Sequence, residues 1–308
     1  MTEQQPPGDL PPAAEARMTE IRGSGTWSSS LSTHEFAAIR STGFEPAGQV
    51  LGAAVFNIGY TGGWNCPGSW AGYGGFMTPV RGVTAVSGQS SLGSFGPMVQ
   101  ALYTARRTAI GRMEEECLEL GGHGVVGVQL TIGAFPAGGL EFKAIGTAIR
   151  APGTAPLRRP FASDLSGQDF AKLAMAGWVP AGLVLGISVG SRHDDWLTVN
   201  QTRWGGGNTE VHGYTELIND TRHDARQQLE RDVARHGAEG VVVQEMDVKI
   251  RERECPMQES RRDHIVEATI IGTAIARFRQ PRAGQPVPLA IMSLDPQRRQ
   301  AARVRLGP

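Results

Sequence analysis

The sequence predicts an α+β protein made of two tandem copies of one small domain, each with a short N-terminal helix, a long amphipathic helix and a small sheet. The first observation is an internal repeat: the segment from residue 31, LSTHEFAAIRSTGFEPAGQVLG, returns from residue 165 as LSGQDFAKLAMAGWVPAGLVLG, and two later blocks repeat in the same order. The second is that helical periodicity and short apolar runs alternate within each copy. A helix and a sheet with one apolar face each bury those faces against each other, which gives the layered α+β arrangement.

Each copy begins with a short helix. Ser32 and Glu35 form an S-x-x-E capping box in the first copy, and Ser166 and Asp169 form a close variant in the second. A glycine follows each serine after eleven residues. It stands where a C′ glycine would end a helix of about two to three turns.

A buried strand and a long helix follow each short helix. The apolar runs at 49–56 and 183–189 predict the strands. Residues that recur every three or four positions predict the apolar faces of the long helices: Met98, Leu102, Ala105, Ala109, Met113, Cys117 and Leu120, then Leu217, Thr221, Ala225, Leu229, Val233 and His236. Two further apolar runs in each copy predict a hairpin: 125–128 with 142–149, and 241–244 with 266–275.

The repeat also sets the predicted domain boundaries. In order, we expect a disordered N-terminal tail at 1–25, a first domain at 26–150 with a loop rich in glycine and aromatic residues at 59–97, a linker at 151–160, a second domain at 161–279 and a Pro/Arg-rich C-terminal tail at 280–308.

Composition and charge narrow the class of protein. Thirty basic and thirty acidic side chains leave no net field that would attract nucleic acid. The three cysteines form no C-x-x-C, the N-terminus lacks the pattern of a signal peptide, and no HExxH or GxxxxGK[ST] motif occurs. The longest weakly polar run has 12 residues, short of the roughly 20 that span a bilayer. We therefore expect a cytoplasmic, non-enzymatic protein that binds no nucleic acid and has no transmembrane segment.

Three motifs carry a resemblance to a known family. A strand ending in Val-Leu-Gly, the block Leu-Gly-Gly-His-Gly-Val-Val-Gly-Val after the first long helix, and a final Ile-Gly-Thr-Ala-Ile occur in this order. They resemble the YbjQ-like family of small bacterial proteins, labelled heavy-metal-binding, over residues 44–150 and 178–278. The resemblance implies a dodecin-like βαββ subunit fold and a homo-oligomer, since single-domain members form rings of five subunits. The duplication and the long first loop depart from the family pattern.

The family label directs attention to cysteine and histidine. Soft and borderline metals need clustered ligands of these types, and neither copy offers a close pair. Cys117 lies on the apolar face of a helix, where we expect a buried thiol. Cys255 and His264 in the second hairpin connection and His123 after the first long helix are the candidate ligands for a transition metal, and residues 193–195 predict a charged loop tip.

The sequence predicts a ring-forming binding or scaffold protein. The family resemblance implies that the ring is a pentameric homo-oligomer. A sheet of about three strands leaves one face and both edges uncovered, and neighbouring copies would cover them. A protein partner or small ligand would contact Trp64, Trp70, Tyr73 and Phe76 in the first loop, or the basic C-terminal tail. The alternative is a metal-binding protein or metal-dependent enzyme that uses the Cys and His loops.

Overall fold

The computed structural model describes residues 10–24, 28–58, 84–87, 95–136, 138–155, 157–202, 207–255 and 258–277. We call residues 28–150 the first half and residues 161–277 the second half. The predicted partner residues Trp64, Trp70, Tyr73 and Phe76 and the C-terminal tail lie outside the described residues.

The described chain is α+β, as predicted. Up to the end of the first half the elements are α1 (Pro12–Ser24), α2 (Thr33–Ser41), β1 (Glu45–Phe56), β2 (Thr84–Val86), α3 (Gly96–Glu119), β3 (Gly124–Ala134) and β4 (Leu140–Arg150). In the second half they are β5 (Phe161–Ala162), α4 (Gly167–Met175), β6 (Trp178–His193), α5 (Trp196–Thr202), α6 (His212–Arg235), β7 (Gly240–Cys255) and β8 (Gln258–Arg277).

The described strands form two four-stranded sheets, with the orders β1-β4-β3-β5 and β2-β6-β8-β7. β5 runs parallel to β3, and the other pairs are antiparallel. Each sheet therefore contains one short strand from the other half: β5 extends the sheet of the first half, and β2 extends the sheet of the second. Hydrogen bonds between strands thus join the two halves.

The short helices form where their capping residues predict them. The Ser32 hydroxyl accepts from the Glu35 backbone N–H, and the Glu35 carboxylate accepts from the Ser32 N–H, which completes the capping box. The second half repeats the first of these bonds at 3.1 Å. Gly43 and Gly177 have φ values of 83° and 81°, the left-handed conformation that ends a helix at C′.

Each long helix lies directly on a strand glycine of its own sheet. The predicted apolar faces of α3 and α6 are buried at most positions. A methyl group on Gly52 would lie 1.8 Å from the carbonyl oxygen of Ala109, and one on Gly186 would lie 2.2 Å from that of Ala225. Both contacts are with backbone atoms, so only glycine permits this helix-to-sheet distance.

Helix α3 also packs against the sheet of the second half. Leu183, Leu185, Ile187 and Ile271 belong to the same buried apolar cluster as the inner face of α3. The Tyr103 hydroxyl accepts from the Ile187 N–H at 2.8 Å and donates to the Leu185 carbonyl at 3.4 Å. The largest apolar cluster of the described residues therefore spans both halves.

A second contact between the halves involves β5 and α4. The Ser163 N–H donates to the Val125 carbonyl at 2.9 Å, and the Val128 N–H donates to the Ser163 carbonyl at 2.9 Å. Phe170 on α4 is only 2% exposed. It packs on an apolar cluster whose other buried members, Ile39, Val126 and Ile149, come from the first half. We call this contact, together with that of α3, the joint.

The expected disorder of residues 1–25 is wrong for α1. Met18 is fully buried, and Arg17 and Arg22 form ion pairs with Glu116 and Glu119 on α3. A helix with one buried residue shows no apolar period, so its sequence alone does not separate it from a disordered segment.

Substituting Gly186 by Ala is expected to lower the free energy of unfolding by about 1–3 kcal/mol, because the added methyl group meets a backbone oxygen that cannot turn away. Gly111→Ala is the control, since a methyl group there meets nothing within 4 Å and a helical alanine gains up to about 1 kcal/mol. Urea unfolding of both variants measures the difference. Equal stabilities would contradict the proposed contact.

Candidate functional site

Buried charged residues gather where β6 ends. Arg192, His193, Asp194 and Asp195 follow one another at this end, and none is more than 8% exposed. On β8, His264 pairs with Arg192 and Asp263 pairs with His193. We call these six residues the end cluster.

Strand alternation divides the end cluster between the two faces of the sheet. On one face, His193 Nδ1 lies 2.8 Å from Asp263 Oδ1, and Arg253 Nη2 lies 3.4 Å from Asp263 Oδ2. On the other face, which α6 covers, Arg192 forms ion pairs with Asp195 at 3.2 Å and with Glu216 at 3.1 Å. Buried charges on both faces are therefore paired, as burial requires.

His264 and Asp194 form the second group on the α6 face. His264 Nδ1 lies 3.1 Å from Asp194 Oδ1, and its Nε2 lies 3.4 Å from Glu252 Oε1. The Tyr214 hydroxyl of α6 donates to Asp194 Oδ1 at 2.9 Å, and its ring centroid lies 4.3 Å from that of His264. One carboxylate thus links a tyrosine to a histidine.

Two pKa values follow from these contacts. Burial disfavours the charged imidazolium of His264, but hydrogen bonds and charge from Asp194 and Glu252 outweigh burial and raise the pKa above 6.5. Burial and the contact with Asp194 raise the pKa of Tyr214 above its ordinary value of 10.0. His264 therefore gains a proton more readily than a solvated histidine, and Tyr214 stays protonated as a donor.

Of the expected charged loop tip at residues 193–195, Asp194 and Asp195 lie in the connection between β6 and α5, but His193 ends β6 and all three side chains are buried. Asp195 also accepts from the Thr198 N–H at 2.7 Å, which caps the start of α5. The polar residues alone suggested a loop. Their burial depends on α6 and β8, which lie far along the chain.

A cavity of about 660 Å³ lies within the joint, between α3 and the second half. Arg107 forms an ion pair with Asp232 at 3.0 Å, and Arg159 forms one with Glu114 at 3.2 Å, in its wall. Burial raises the pKa of Glu114. Sequence reasoning missed this cavity, because it exists only where the two halves meet.

The structure places His264 within β8 and not in a connecting loop, because β7 and β8 extend well beyond the predicted strands. Cys255 lies three residues beyond Glu252, the partner of His264, on β7. That separation is about 10 Å at the usual rise of a strand. The structure therefore does not bring the backbones of Cys255 and His264 side by side.

His123 lies in the first half, between α3 and β3, whereas His264 lies on β8. Its Nε2 is 3.1 Å from the Ala155 carbonyl oxygen, and its Nδ1 accepts from the Ala151 N–H at 3.2 Å. These bonds fasten the segment predicted as a linker. His123 as a metal ligand stays a prediction.

Other metal-binding side chains give no described cluster. Cys117 is fully buried, as predicted, and burial raises its pKa to about 12, which keeps it a thiol. Within the ranges that the structure describes, no three His, Cys, Asp or Glu side chains are grouped so as to hold a metal ion.

Replacing His264 by Gln is expected to lower the free energy of unfolding by about 1–3 kcal/mol at acidic pH, because charged hydrogen bonds are lost. A raised folded-state pKa contributes stability fully below pH 6.5, and the contribution is lost as pH rises through the folded-state value. The difference from the unsubstituted protein should therefore shrink as the pH rises from acidic values through the raised folded-state pKa of His264. Denaturant unfolding across this range measures it.

The exposed His223→Gln on α6 is the control for that measurement. It should shift stability little at any pH. A His264→Gln curve that runs parallel to that of the unsubstituted protein would contradict the ion-pair assignment.

Comparisons with known proteins agree with the resemblance stated above over part of the first half. None of the described helices has both the length and the apolar stretch needed to span a membrane. A family described as "Putative heavy-metal-binding", YbjQ, matches residues 79–152. The protein named "Encapsulin nanocompartment protein Rv1762c" of Mycobacterium tuberculosis is 33% identical over 243 residues, which are 76% of this chain and 81% of the relative. No solved structure matches the chain. The chain therefore belongs to the family of that mycobacterial protein, and its residues 79–152 form a YbjQ-like domain.

Proposed function

We propose that this chain is a non-enzymatic scaffold that associates with further copies of itself through a repeated head-to-tail contact. The observation that carries the proposal is the joint. The first half contributes the face of α3 that carries Tyr103 and Arg107, together with the edge of β3. The second half contributes β5, α4 and the face of β6 and β8. The contact is therefore heterologous: the first half and the second half contribute different surfaces to it.

A heterologous contact has a direct consequence for assembly. When the two halves of one chain form this contact, each half still has the surface that its partner used. One uncovered surface of each kind therefore remains, one on each half. Contacts of this kind extend into closed rings or open filaments. The family resemblance favours a ring, and a ring of five chains would contain ten domains if each half is one copy of the βαββ domain.

The relative adds a setting for this scaffold. Its name assigns it to an encapsulin nanocompartment. We propose that this chain also functions in a protein compartment. The aromatic loop residues Trp64, Trp70, Tyr73 and Phe76 and the basic C-terminal tail remain the proposed contacts to a further partner or small ligand.

Metal binding is a separate proposal that rests on the description of the matching family. Its candidate ligands are still Cys255, His264 and His123. The ion pairs of His264 with Asp194 and Glu252 weigh against an open ligand position at this histidine.

Light scattering on the full chain tests self-association. We expect self-association because each end of the chain carries a contact surface. We expect a mass near five times that of one chain because the family resemblance favours a ring of five. Dilution and salt series extend the measurement. A mass of one chain at all concentrations would contradict the scaffold.

Elemental analysis of the same peak after dialysis tests the metal proposal. A scaffold without a resident metal is expected to contain much less than one metal ion per chain. One zinc, copper or iron ion per chain that His264→Ala removes, with His223→Ala as the control, would instead favour the alternative function.

A further inference from the structure

Residues 29–31 of the first half and residues 163–165 of the second half form equivalent hydrogen bonds. The Leu31 N–H donates to Ser29 Oγ at 3.0 Å, and the Ser30 N–H donates to Thr147 Oγ1 at 3.2 Å. The corresponding bonds at 163–165 measure 3.2 and 3.1 Å. The two segments are thus shaped alike, at the repeat offset of 134 residues.

The two segments differ in what covers them. Ser163 is fully buried because it pairs with β3 across the joint. Its equivalent Ser29 is partly exposed, and Ser28 and Ser30 are exposed. The first half therefore presents at its surface a segment already shaped for strand pairing. We call residues 28–36 the donor segment.

The strand that corresponds to β3 is β7, an edge strand of the described second sheet. Both strands contain a bulge at the same place, between Val126 and Gln129 in β3 and between Val243 and Glu245 in β7. In β3 this region supplies the N–H groups that bond residues 163 and 165. On β7, Val243, the equivalent of Gly127 in this region, is 43% exposed.

The apolar part of the joint also has an exposed equivalent. Ile39, Val126 and Ile149 are fully buried under Phe170. The residues at the same places in the second half are Leu173, Val242 and Ile275, and all three are partly exposed. The equivalent of Phe170 is Phe36, at the end of the donor segment. We call β7 residues 241–244 with Leu173 and Ile275 the acceptor surface.

We propose that the acceptor surface of one chain binds the donor segment of a second copy of this chain. The occupant follows from the joint, since the acceptor surface matches the surface that β5 and α4 already cover within the chain. The donor segment corresponds to residues 162–170, from the end of β5 into α4. Ser29 would pair with Val241 as Ser163 pairs with Val125, and Phe36 would cover Val242. This inference rests on the proposed self-association and names the contact that produces it.

Cysteine cross-linking tests the contact in the full chain with Cys66 and Cys255 replaced by Ser. Val125 and Ala162 face each other within the joint, and their equivalents are Val241 and Ser28. Neighbouring strands lie about 4.8 Å apart, which suits a disulfide. Mixing Ser28→Cys protein with Val241→Cys protein under oxidation should give a covalent dimer.

The controls separate this contact from random oxidation. Each single variant alone should give no dimer beyond the level of a mixture of Ser28→Cys with Ile250→Cys, which is an exposed position on the same strand. The pair Val125→Cys and Ala162→Cys in one chain should cross-link internally, which verifies the chemistry. A multi-chain mass by light scattering without the specific dimer would overturn this contact while leaving self-association intact.

A substitution in the donor segment provides a second measurement. Phe36→Asp is expected to reduce the mass in light scattering towards that of one chain, and Phe36→Leu is expected to preserve it. A single-chain mass for the unsubstituted protein would refute both the scaffold and the contact. An unchanged multi-chain mass for Phe36→Asp would refute only the contact.

Discussion

The edges of the two small sheets are the constraint on which the rest of the structure depends. A buried edge must have its N–H groups bonded, and an open edge invites another strand. Three outward N–H groups of β6 are bonded by the side chains of Asp232, Tyr103 and Ser87, at 3.1, 2.8 and 3.1 Å. On β1, the Leu51 N–H is bonded by Glu116 at 2.7 Å. The long helices, with Ser87 after β2, thus close the sheets with polar side chains, and the helices also cover the sheets with apolar ones.

The same requirement explains why the halves are not independent. Tyr103 belongs to the first half but closes the sheet of the second, and β5 belongs to the second half but closes the edge of β3. Polar closure and apolar burial meet at α3, which packs between the two sheets. The end cluster lies at the far end of the second sheet, where Tyr214 and His264 both contact Asp194.

Local patterns were enough to predict the elements but not how they meet. The capping pair Ser32 and Glu35 and the apolar face through Met113 are readable because their partners lie within a few residues or a helical period. Helix α1 was not predicted, since its stabilising partner Glu116 lies 99 residues from Arg17. The burial of His193 likewise depends on Asp263, 70 residues away. Contacts of this kind carry no periodic signal in the sequence.

The exchange of β2 and β5 between the sheets has a geometric consequence. The strand pairs β2–β6 and β3–β5 join the halves on both sides of the joint, so the fold sets the relative angle of the two sheets. In a head-to-tail series, the rotation from one unit to the next decides whether the series closes and after how many units. Every second contact in such a series lies within one chain, so the angle between the two halves determines half of these rotations. The curvature of any such assembly is therefore partly determined before two chains meet.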